Sequence, residues 1–200
     1  MKTLDSKAYA KVNLFLRITG ILNNGYHALE MVNTKISLCD TISCAMNDSG
    51  EIHLTASQPD IPTDATNTVF KAAQRFLDQN RIRFGLNIHI NKNIPSGAGL
   101  GGGSSDAAAV LNLLNEFFNY PATQDDLLAI GASIGADVPF FLVPGCAYVK
   151  GVGERIIPFS VHDSLNENTQ YLVLCSPDIH VSTKEAYGLW DKKKSKDSAS

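Results

Sequence analysis

The stretch Pro95-Ser-Gly-Ala-Gly-Leu-Gly-Gly-Gly-Ser-Ser-Asp106 organises the prediction of both fold and chemistry for this chain of 200 residues. Five of the chain's 15 glycines lie between Gly97 and Gly103. Glycine adopts backbone conformations with positive φ, and without a side chain it lets a bulky ligand approach bare N–H groups. An apolar stripe with helical spacing follows, formed by Val110, Leu113, Leu114, Phe117 and Phe118. The stretch is therefore predicted to be a loop that opens into a helix.

A helix that begins directly after such a loop is suited to bind an anion. Its first N–H groups have no intrahelical partner, and its dipole presents the positive end. Ser104, Ser105 and Asp106 are favourable N-cap residues, so the helix is expected to start near them. Together these features predict a site for an anion, most often a phosphate group.

Several phosphate-binding patterns could account for this loop. The P-loop pattern is excluded because no lysine follows the glycines. The dinucleotide pattern G-x-G-x-x-G matches at Gly97, Gly99 and Gly102, but it requires a tight strand-to-helix turn within a βαβ unit. A second helical segment, rather than a clear strand, follows here. A dinucleotide-dependent oxidoreductase and a flexible glycine linker remain as less favoured alternatives, the linker because it runs into an amphipathic helix.

The longer pattern Pro95-x-x-x-Gly99-Leu100-x-x-x-Ser104-Ser105 resembles the phosphate loop of the GHMP kinases. The resemblance implies an α+β fold with a mixed or mostly antiparallel sheet and helices packed on one side. It also implies ATP as cofactor, with Mg²⁺ assumed to accompany it. The residues implied to bind the ATP phosphates are Pro95, Ser96, Gly97, Ala98, Gly99, Leu100, Gly101, Gly102, Gly103, Ser104 and Ser105.

Two further segments resemble the catalytic parts of the same family. Ala10-Lys11-x-Asn13-Leu14 lies in a predicted strand over residues 8–19, where alternation puts Lys11 and Asn13 on one face. By spacing alone both would be solvent-facing, but the resemblance places the lysine at the acceptor hydroxyl and makes Asn13 a substrate-binding residue. The segment Gly135-Ala-Asp137-Val-Pro139 resembles the segment that carries the base. Asp137 would otherwise be interpreted as a helix cap.

The segment Gly25-Tyr26-His27 resembles the branch of the family that recognises a cytosine base. There the tyrosine stacks on the base and the histidine forms a hydrogen bond with it, as suits an aromatic face and a donor–acceptor ring. Without the resemblance, a Tyr-His pair is usually on the surface. Val181-Ser182-Thr183 with Tyr187 resembles the segment that supplies a second aromatic side chain over the base.

The implied activity is transfer of phosphate from ATP to the 2-hydroxyl of 4-diphosphocytidyl-2-C-methyl-D-erythritol, a small-molecule substrate of the non-mevalonate isoprenoid precursor pathway. The resemblance extends from Tyr9 to Tyr187, and chains of the family run further. We therefore expect an N-terminal kinase domain over residues 1–188, with 189–200 as a polar tail or the start of a C-terminal domain. The alternatives are another small-molecule GHMP kinase of homoserine or mevalonate type, and a nucleotide-binding fragment without activity.

Local patterns predict the remaining elements. Strands are expected at 31–38, 41–46, 52–56, 86–90 and 171–176, with a hairpin turn at 151–153. Helices are expected after Thr66-Asn67-Thr68 and after the capping box Thr123-x-x-Asp126. From residue 191 onward, the charged and small residues predict disorder.

Composition bounds the class of protein. A net charge of −3 does not favour a nucleic-acid surface. The four cysteines have no C-x-x-C spacing, which disfavours a zinc site or a disulfide framework. The first residues lack a signal peptide's apolar core, and no apolar run is long enough to span a membrane. The chain is expected to be cytoplasmic.

Overall fold

The chain folds into a six-stranded mixed sheet with helices packed against it. The computed structural model describes residues 3–159, 171–175 and 182–197. The strands are β1 (Thr3–Ile21), β2 (His27–Asn47), β3 (Ile52–Ala56), β4 (Gly85–Asn91), β5 (Cys146–Gly151) and β6 (Arg155–Phe159). The helices are α1 (Thr68–Gln79), α2 (Gly102–Phe117), α3 (Gln124–Ile134), α4 (Val138–Leu142) and α5 (Thr183–Asp197).

The long strand β2 organises the sheet. Strand β1 pairs antiparallel with it along almost its whole length. On the other edge, β4 pairs with residues 41–47 and β5 pairs with residues 29–34, both antiparallel. Strand β3 is parallel to β4, and β6 is antiparallel to β5. The predicted α+β class with a mixed, mostly antiparallel sheet is confirmed.

Helix α2 is the centre of the helical layer. It contacts β1 and β2 of the sheet and also α1, α3 and α4. Because it lies between the sheet and the other helices, residues 105–111 are all buried, not only the predicted apolar stripe. Two local predictions about its neighbours are confirmed. Asn67 caps α1 through Val69 N, and Thr123 with Asp126 forms the capping box of α3.

Two elements predicted from local patterns differ from the structure. Strand β2 is continuous where two strands, 31–38 and 41–46, were expected. Asp40 interrupts the apolar pattern there, yet it is fully buried and accepts hydrogen bonds from the backbone N–H groups of Asn93 and Ile94. The predicted core strand at 171–176 is wrong for 171–175, which have no regular structure and are exposed. Ser176 lies outside the described residues.

Helix α5 corrects the prediction of a disordered tail. It continues through Asp197, so the segment 191–197 is helical, and the expected boundary between residues 188 and 189 falls inside it. None of the described helices is both long and apolar enough to cross a membrane.

Strand β1 does not follow simple alternation. Register shifts between Tyr9 and Lys11 and between Asn13 and Phe15 break its period of two. As a result, consecutive apolar residues from Leu14 to Leu16 are exposed, while Lys11 is only 6% exposed. The interpretation of Lys11 as solvent-facing is therefore wrong.

Candidate active site

The glycine loop has the backbone geometry of an anion-binding concavity. Gly97, Gly99 and Gly101 have φ of 72°, 73° and 72°, and the residues between them do not have positive φ. Alternation of this kind turns successive N–H groups toward one side. Helix α2 begins at Gly102 with Gly101 as its N-cap, so the N–H groups of its first turn add to the same site.

The predicted N-cap residues lie inside the helix instead. The prediction that α2 starts near Ser104 to Asp106 is wrong, because the left-handed conformation at Gly101 already redirects the chain. Ser105 is buried, and its hydroxyl donates to the carbonyl of Tyr9 over 2.6 Å. Ser105 therefore ties α2 to β1.

Close packing around the loop requires the absence of a side chain at Gly101. A Cβ atom there would lie 2.8 Å from Cζ of Phe141 and 3.2 Å from Cγ of Lys11. Lys11 N donates to the carbonyl of Leu100 over 2.9 Å, and the Thr68 hydroxyl donates to the carbonyl of Gly103 over 2.8 Å. The loop is thus held between β1 and the start of α1.

A cavity of about 310 Å³ lies against this loop. Residues 95–103 line it, together with the start of α1 at Thr66–Thr68 and the side chains of Lys92 and Asp106. The predicted phosphate-binding residues Ser104 and Ser105 are not among its lining residues. Strand β5, which follows the helices in sequence, pairs antiparallel with β2. It does not pair with β4, and the helices α2, α3 and α4 separate the two strands. The described residues around the glycine loop therefore do not form the tight βαβ unit of paired neighbouring strands that the dinucleotide interpretation requires.

A buried charged triad supports the loop from below, and local sequence patterns did not predict it. Lys92 donates to Oδ2 of Asp40 and, over 2.8 Å, to Oδ2 of Asp106. All three side chains are nearly inaccessible, and Oδ1 of Asp106 has no hydrogen-bond partner. The triad joins β2, the end of β4 and the start of α2. The only sign of the triad in the sequence was that Asp40 and Lys92 occupy positions where apolar residues are expected.

Burial raises the pKa of Asp106 from 3.8 to about 7, although Lys92 opposes the rise. Burial alone would lower the pKa of Lys92, but the carboxylates of Asp106 and Asp40 more than offset this and raise it. Lys92 therefore stays charged and compensates Asp40, while Asp106 can hold a proton near neutrality. A neutral Asp106 reduces the negative charge next to a loop that has the backbone geometry of an anion-binding site.

Replacing Asp106 by Asn is expected to change how stability depends on pH. The folded state keeps the Asp106 proton up to about pH 7, whereas the unfolded chain loses it near 3.8, so this carboxyl destabilises the fold as pH rises between those values. From pH 5 to 7.5 the free energy of unfolding of the unsubstituted chain should fall by about 2 kcal/mol more than that of Asp106→Asn. Denaturant titrations at several pH values measure this. The exposed Asp125→Asn is the control and should keep the parent slope, and an equal slope in Asp106→Asn would contradict the assignment.

The two predicted catalytic residues meet beside the loop. Nζ of Lys11 lies 3.8 Å from Oδ2 of Asp137 and donates to Oδ1 of Asn13 over 2.9 Å. Asp137 occupies the N-cap position of α4, but its side chain makes no capping hydrogen bond and is 40% exposed. The carboxylate of Asp137 is therefore available to a ligand. The interpretation of Asp137 as a simple helix cap does not explain an aspartate whose side chain caps nothing.

Lys35 anchors the helix that carries Asp137. Its ammonium donates to the carbonyls of Phe141 and Val143 over 2.9 and 2.7 Å, at the end of α4. Lys35 is the strand partner of Lys11 across β1 and β2. Burial lowers its pKa. Spacing within either strand did not predict this role.

The residues predicted to contact a base form a second cluster, with an arrangement that differs from the expectation. Tyr26 is 65% exposed. His27 stacks on Tyr187 with ring centroids 4.6 Å apart, meets Trp190 edge-on, and its Nε2 lies 2.8 Å from Oδ1 of Asp191. Helix α5 thus covers His27, and Tyr187 faces the histidine ring.

Tyr187 connects this cluster to the Lys11–Asp137 pair. Burial and, secondarily, the negative charge of Asp137 raise the pKa of the Tyr187 phenol. Its ring is therefore within electrostatic range of Asp137. Among the predicted substrate residues, Asn13 is therefore bonded to Lys11, Tyr187 is near Asp137, and His27 is linked to the pair through its stacking on Tyr187.

Comparisons with known proteins agree with this geometry. Residues 67–145 match the family model described as "GHMP kinases N terminal domain". The chain is 41% identical over 189 residues to the 4-diphosphocytidyl-2-C-methyl-D-erythritol kinase of Clostridium acetobutylicum, covering 94% of this chain and 65% of that protein. It is 44% identical over 190 residues to the kinase of that name from Clostridium tetani, with coverages of 94% and 65%. The chain therefore spans just under two thirds of the length of these relatives.

Solved structures give the same fold. A crystal structure of 4-(cytidine 5'-diphospho)-2C-methyl-D-erythritol kinase superposes with a TM-score of 0.68 at 36% identity, covering 80% of this chain and 56% of that one. A homoserine kinase from Cytophaga hutchinsonii superposes with a TM-score of 0.60 at 18% identity, covering 94% and 64%. The second likeness bears on the fold alone.

Proposed function

We propose that this chain, which belongs to the GHMP kinases, binds ATP on the glycine loop and transfers its γ-phosphoryl group to the 2-hydroxyl of 4-diphosphocytidyl-2-C-methyl-D-erythritol. The observation that carries the proposal is the position of the Lys11–Asp137 pair next to the loop. Lys11 donates its backbone N–H to the loop carbonyl of Leu100, and its ammonium lies 3.8 Å from Asp137. The γ-phosphoryl group of the donor, a cation and a carboxylate would therefore converge on one alcohol.

In this proposal the loop binds and orients the donor. The N–H groups of residues 97–103 and the first turn of α2 would hold the β- and γ-phosphates. Phosphoryl transfer passes through a loose transition state, so positioning and electrostatic stabilisation supply most of the catalysis. Lys92 lines the same cavity, but its charge is compensated by Asp40 and it donates a hydrogen bond to Asp106, so it would fix the loop rather than bind phosphate as a free charge.

At the acceptor, Asp137 would hold the hydroxyl and accept its proton, while Lys11 would stabilise the negative charge that develops on oxygen. Because the ammonium of Lys11 is almost fully buried, its charge is screened little by water. The 40% exposure of Asp137 leaves room for an incoming alcohol.

The described residues do not form a metal site of their own. No three His, Cys, Asp or Glu side chains within them converge on a point suitable for an ion. Mg²⁺, which accompanies ATP in kinases, is commonly held by substrate phosphates with only one or two carboxylates. We therefore assign no residue of this chain to the metal.

The base of the substrate would bind at the second cluster. Tyr26 offers an exposed aromatic face, and His27 has one ring nitrogen engaged by Asp191. Engagement of Nε2 leaves Nδ1 as the nitrogen that could pair with cytosine. Tyr187 would have to leave the His27 ring if it were to cover the base from the other side.

Release of ADP tests donor, acceptor and competence together. We expect a coupled assay to detect ADP with the cytidylated substrate present and little without it. Homoserine and mevalonate serve as acceptor controls for the other GHMP activities. ADP release with either of those, and none with the cytidylated substrate, would assign the chain to a different acceptor.

Binding of a nucleotide without turnover is the second candidate function. The observation that favours it is that neither Lys11 nor Asp137 lines the cavity at the glycine loop. Calorimetric titration with ATP beside the turnover assay separates the two functions: binding without turnover supports the second, and absence of binding refutes both.

Replacing Tyr26 by Ala is expected to weaken the cytidylated substrate selectively. Stacking of a base on an aromatic side chain contributes about 1–3 kcal/mol, so KM for this substrate should rise by about 5-fold to 100-fold while KM for ATP changes less than about twofold. Steady-state kinetics with each substrate varied measures both values. Tyr120→Ala is the control, since Tyr120 is equally exposed at the end of α2 remote from the glycine loop. Equal effects on both substrates would argue against base stacking.

A further inference from the structure

Asn33 is a fully buried polar residue next to the reacting pair. It lies on β2, directly opposite Asn13 of β1, and its exposure is 0%. Strand β5 covers its other edge, where Ala147 is its partner. A polar side chain in such a place destabilises the fold unless its hydrogen-bonding groups are paired.

The hydrogen bonds around Asn33 have only one possible direction. Lys11 Nζ lies 2.9 Å from the Asn13 side chain, and an ammonium group can only donate. The oxygen of the Asn13 amide must therefore face Lys11. Its nitrogen then points away and donates to Oδ1 of Asn33 over 3.0 Å and to the sulfur of Met31 over 3.2 Å.

Stability alone does not account for an asparagine at this position. Nδ2 of Asn33 is buried and has no hydrogen-bond partner. An unpaired buried donor destabilises the folded state, and a leucine of similar shape would leave no such group. The useful atom of Asn33 is its oxygen, which selects the orientation of the Asn13 amide.

We propose that Asn33 is a positioning residue that holds the ammonium of Lys11 at its place beside Asp137, acting through Asn13. Without the Asn33 oxygen, the NH₂ group of Asn13 loses an acceptor, and the Asn13 side chain is no longer held where its oxygen faces Lys11. The ammonium would then lose that acceptor and shift toward Asp137, now 3.8 Å away. The catalytic consequence rests on the proposed kinase function, but the position of Lys11 does not.

The first test is kinetic. In Asn33→Leu, kcat should fall at least about tenfold, because small displacements of a reacting group lower rates steeply. KM for ATP should stay within about twofold, and the melting temperature should be unchanged or higher. The control is Thr34→Val, a neighbour whose side chain lies on the opposite face of β2. If Asn33→Leu does not fold, Asn33→Ala removes the same oxygen without adding bulk. Unchanged kcat in a folded variant overturns the proposal.

The second test reports on Lys11 directly and needs no turnover. With ¹⁵N-labelled lysine, the ammonium resonance of Lys11 is identified by its loss in Lys11→Arg. We expect it to shift or to broaden through exchange with water in Asn33→Leu and to stay in place in Thr34→Val. If the parent chain has no turnover, the kinase proposal fails and this spectrum still decides the role of Asn33. A resonance that does not move overturns that role.

A double-mutant cycle separates action through Asn13 from a general effect on the sheet. If Asn33 acts through Asn13, the ammonium resonance, and kcat where it is measurable, should be the same in Asn13→Ala and in Asn13→Ala/Asn33→Leu. Independent structural effects would add instead. Additivity would therefore overturn the proposal.

Discussion

Asp137→Asn is expected to lower kcat by about 10²-fold to 10⁴-fold, the range that a positioned general base contributes. The substitution keeps the shape of the side chain but removes the charge that faces Lys11 across 3.8 Å and the group proposed to accept the proton of the alcohol. ATP affinity should change less than about twofold, because Asp137 is not among the residues that line the cavity at the glycine loop. Steady-state turnover and calorimetric binding of ATP measure the two quantities.

The control for this variant is Asp125→Asn, which removes an exposed carboxylate from the first turn of α3. It should leave both turnover and binding unchanged. Retention of turnover in Asp137→Asn would show that the proposed role is wrong. A parallel loss of ATP binding would mean that the carboxylate supports the loop and not the acceptor.

Gly101→Ala is expected to destabilise the glycine loop more than any of the other substitutions that we propose. Alanine at φ of 72° is strained by about 1–2 kcal/mol, and its Cβ would lie 2.8 Å from Cζ of Phe141. Overpacking of a close contact costs about 1–3 kcal/mol more, so the free energy of unfolding should fall by about 2–5 kcal/mol. Displacement of the loop should also weaken ATP binding at least about tenfold. Denaturant unfolding and titration with ATP are the measurements.

Substitutions at two other glycines separate the effect of backbone strain from the effect of the contact with Phe141. Gly50 has nearly the same φ, 75°, in a turn with no atom within 4 Å of an added Cβ, so Gly50→Ala carries the backbone strain alone. Gly99 also has positive φ and open space but belongs to the loop. We expect Gly50→Ala to leave ATP binding intact and Gly99→Ala to weaken it. If Gly101→Ala is no less stable than Gly50→Ala, the contact with Phe141 does not constrain the loop.

Motifs identified the predicted catalytic residues, but no local pattern predicted the groups that surround them. Lys11 appeared to be a surface residue by alternation, and the register shifts that bury it depend on pairing with β2. The capping box at Thr123 was predicted because all its atoms belong to four consecutive residues. The start of α2 was misplaced, because a left-handed glycine at the N-cap competes with serine caps that look equally good in sequence.

The cluster around His27, which is predicted to bind a base, illustrates the same difference. Tyr26 and His27 are adjacent in sequence, so one motif names both. Tyr187, Trp190 and Asp191 reach His27 only because α5 folds over the turn between β1 and β2. The sequence pattern at 191–197 predicted disorder because a local pattern does not show distant contacts. In the structure, Asp191 of this segment contacts His27, which lies 164 positions earlier.

By itself, the amino-acid sequence determined the local devices: a loop whose glycines reach positive φ, helices with their caps, and the types of residue able to hold phosphate and move a proton. Tertiary structure decided which charges are buried and which groups meet. Asp40 and Lys92 are 52 positions apart, and Lys11 and Asp137 are more than twice as far apart. Such pairs form only when strand register and helix packing place them together, and the free energy of burying them depends on neighbours that no local window of sequence contains.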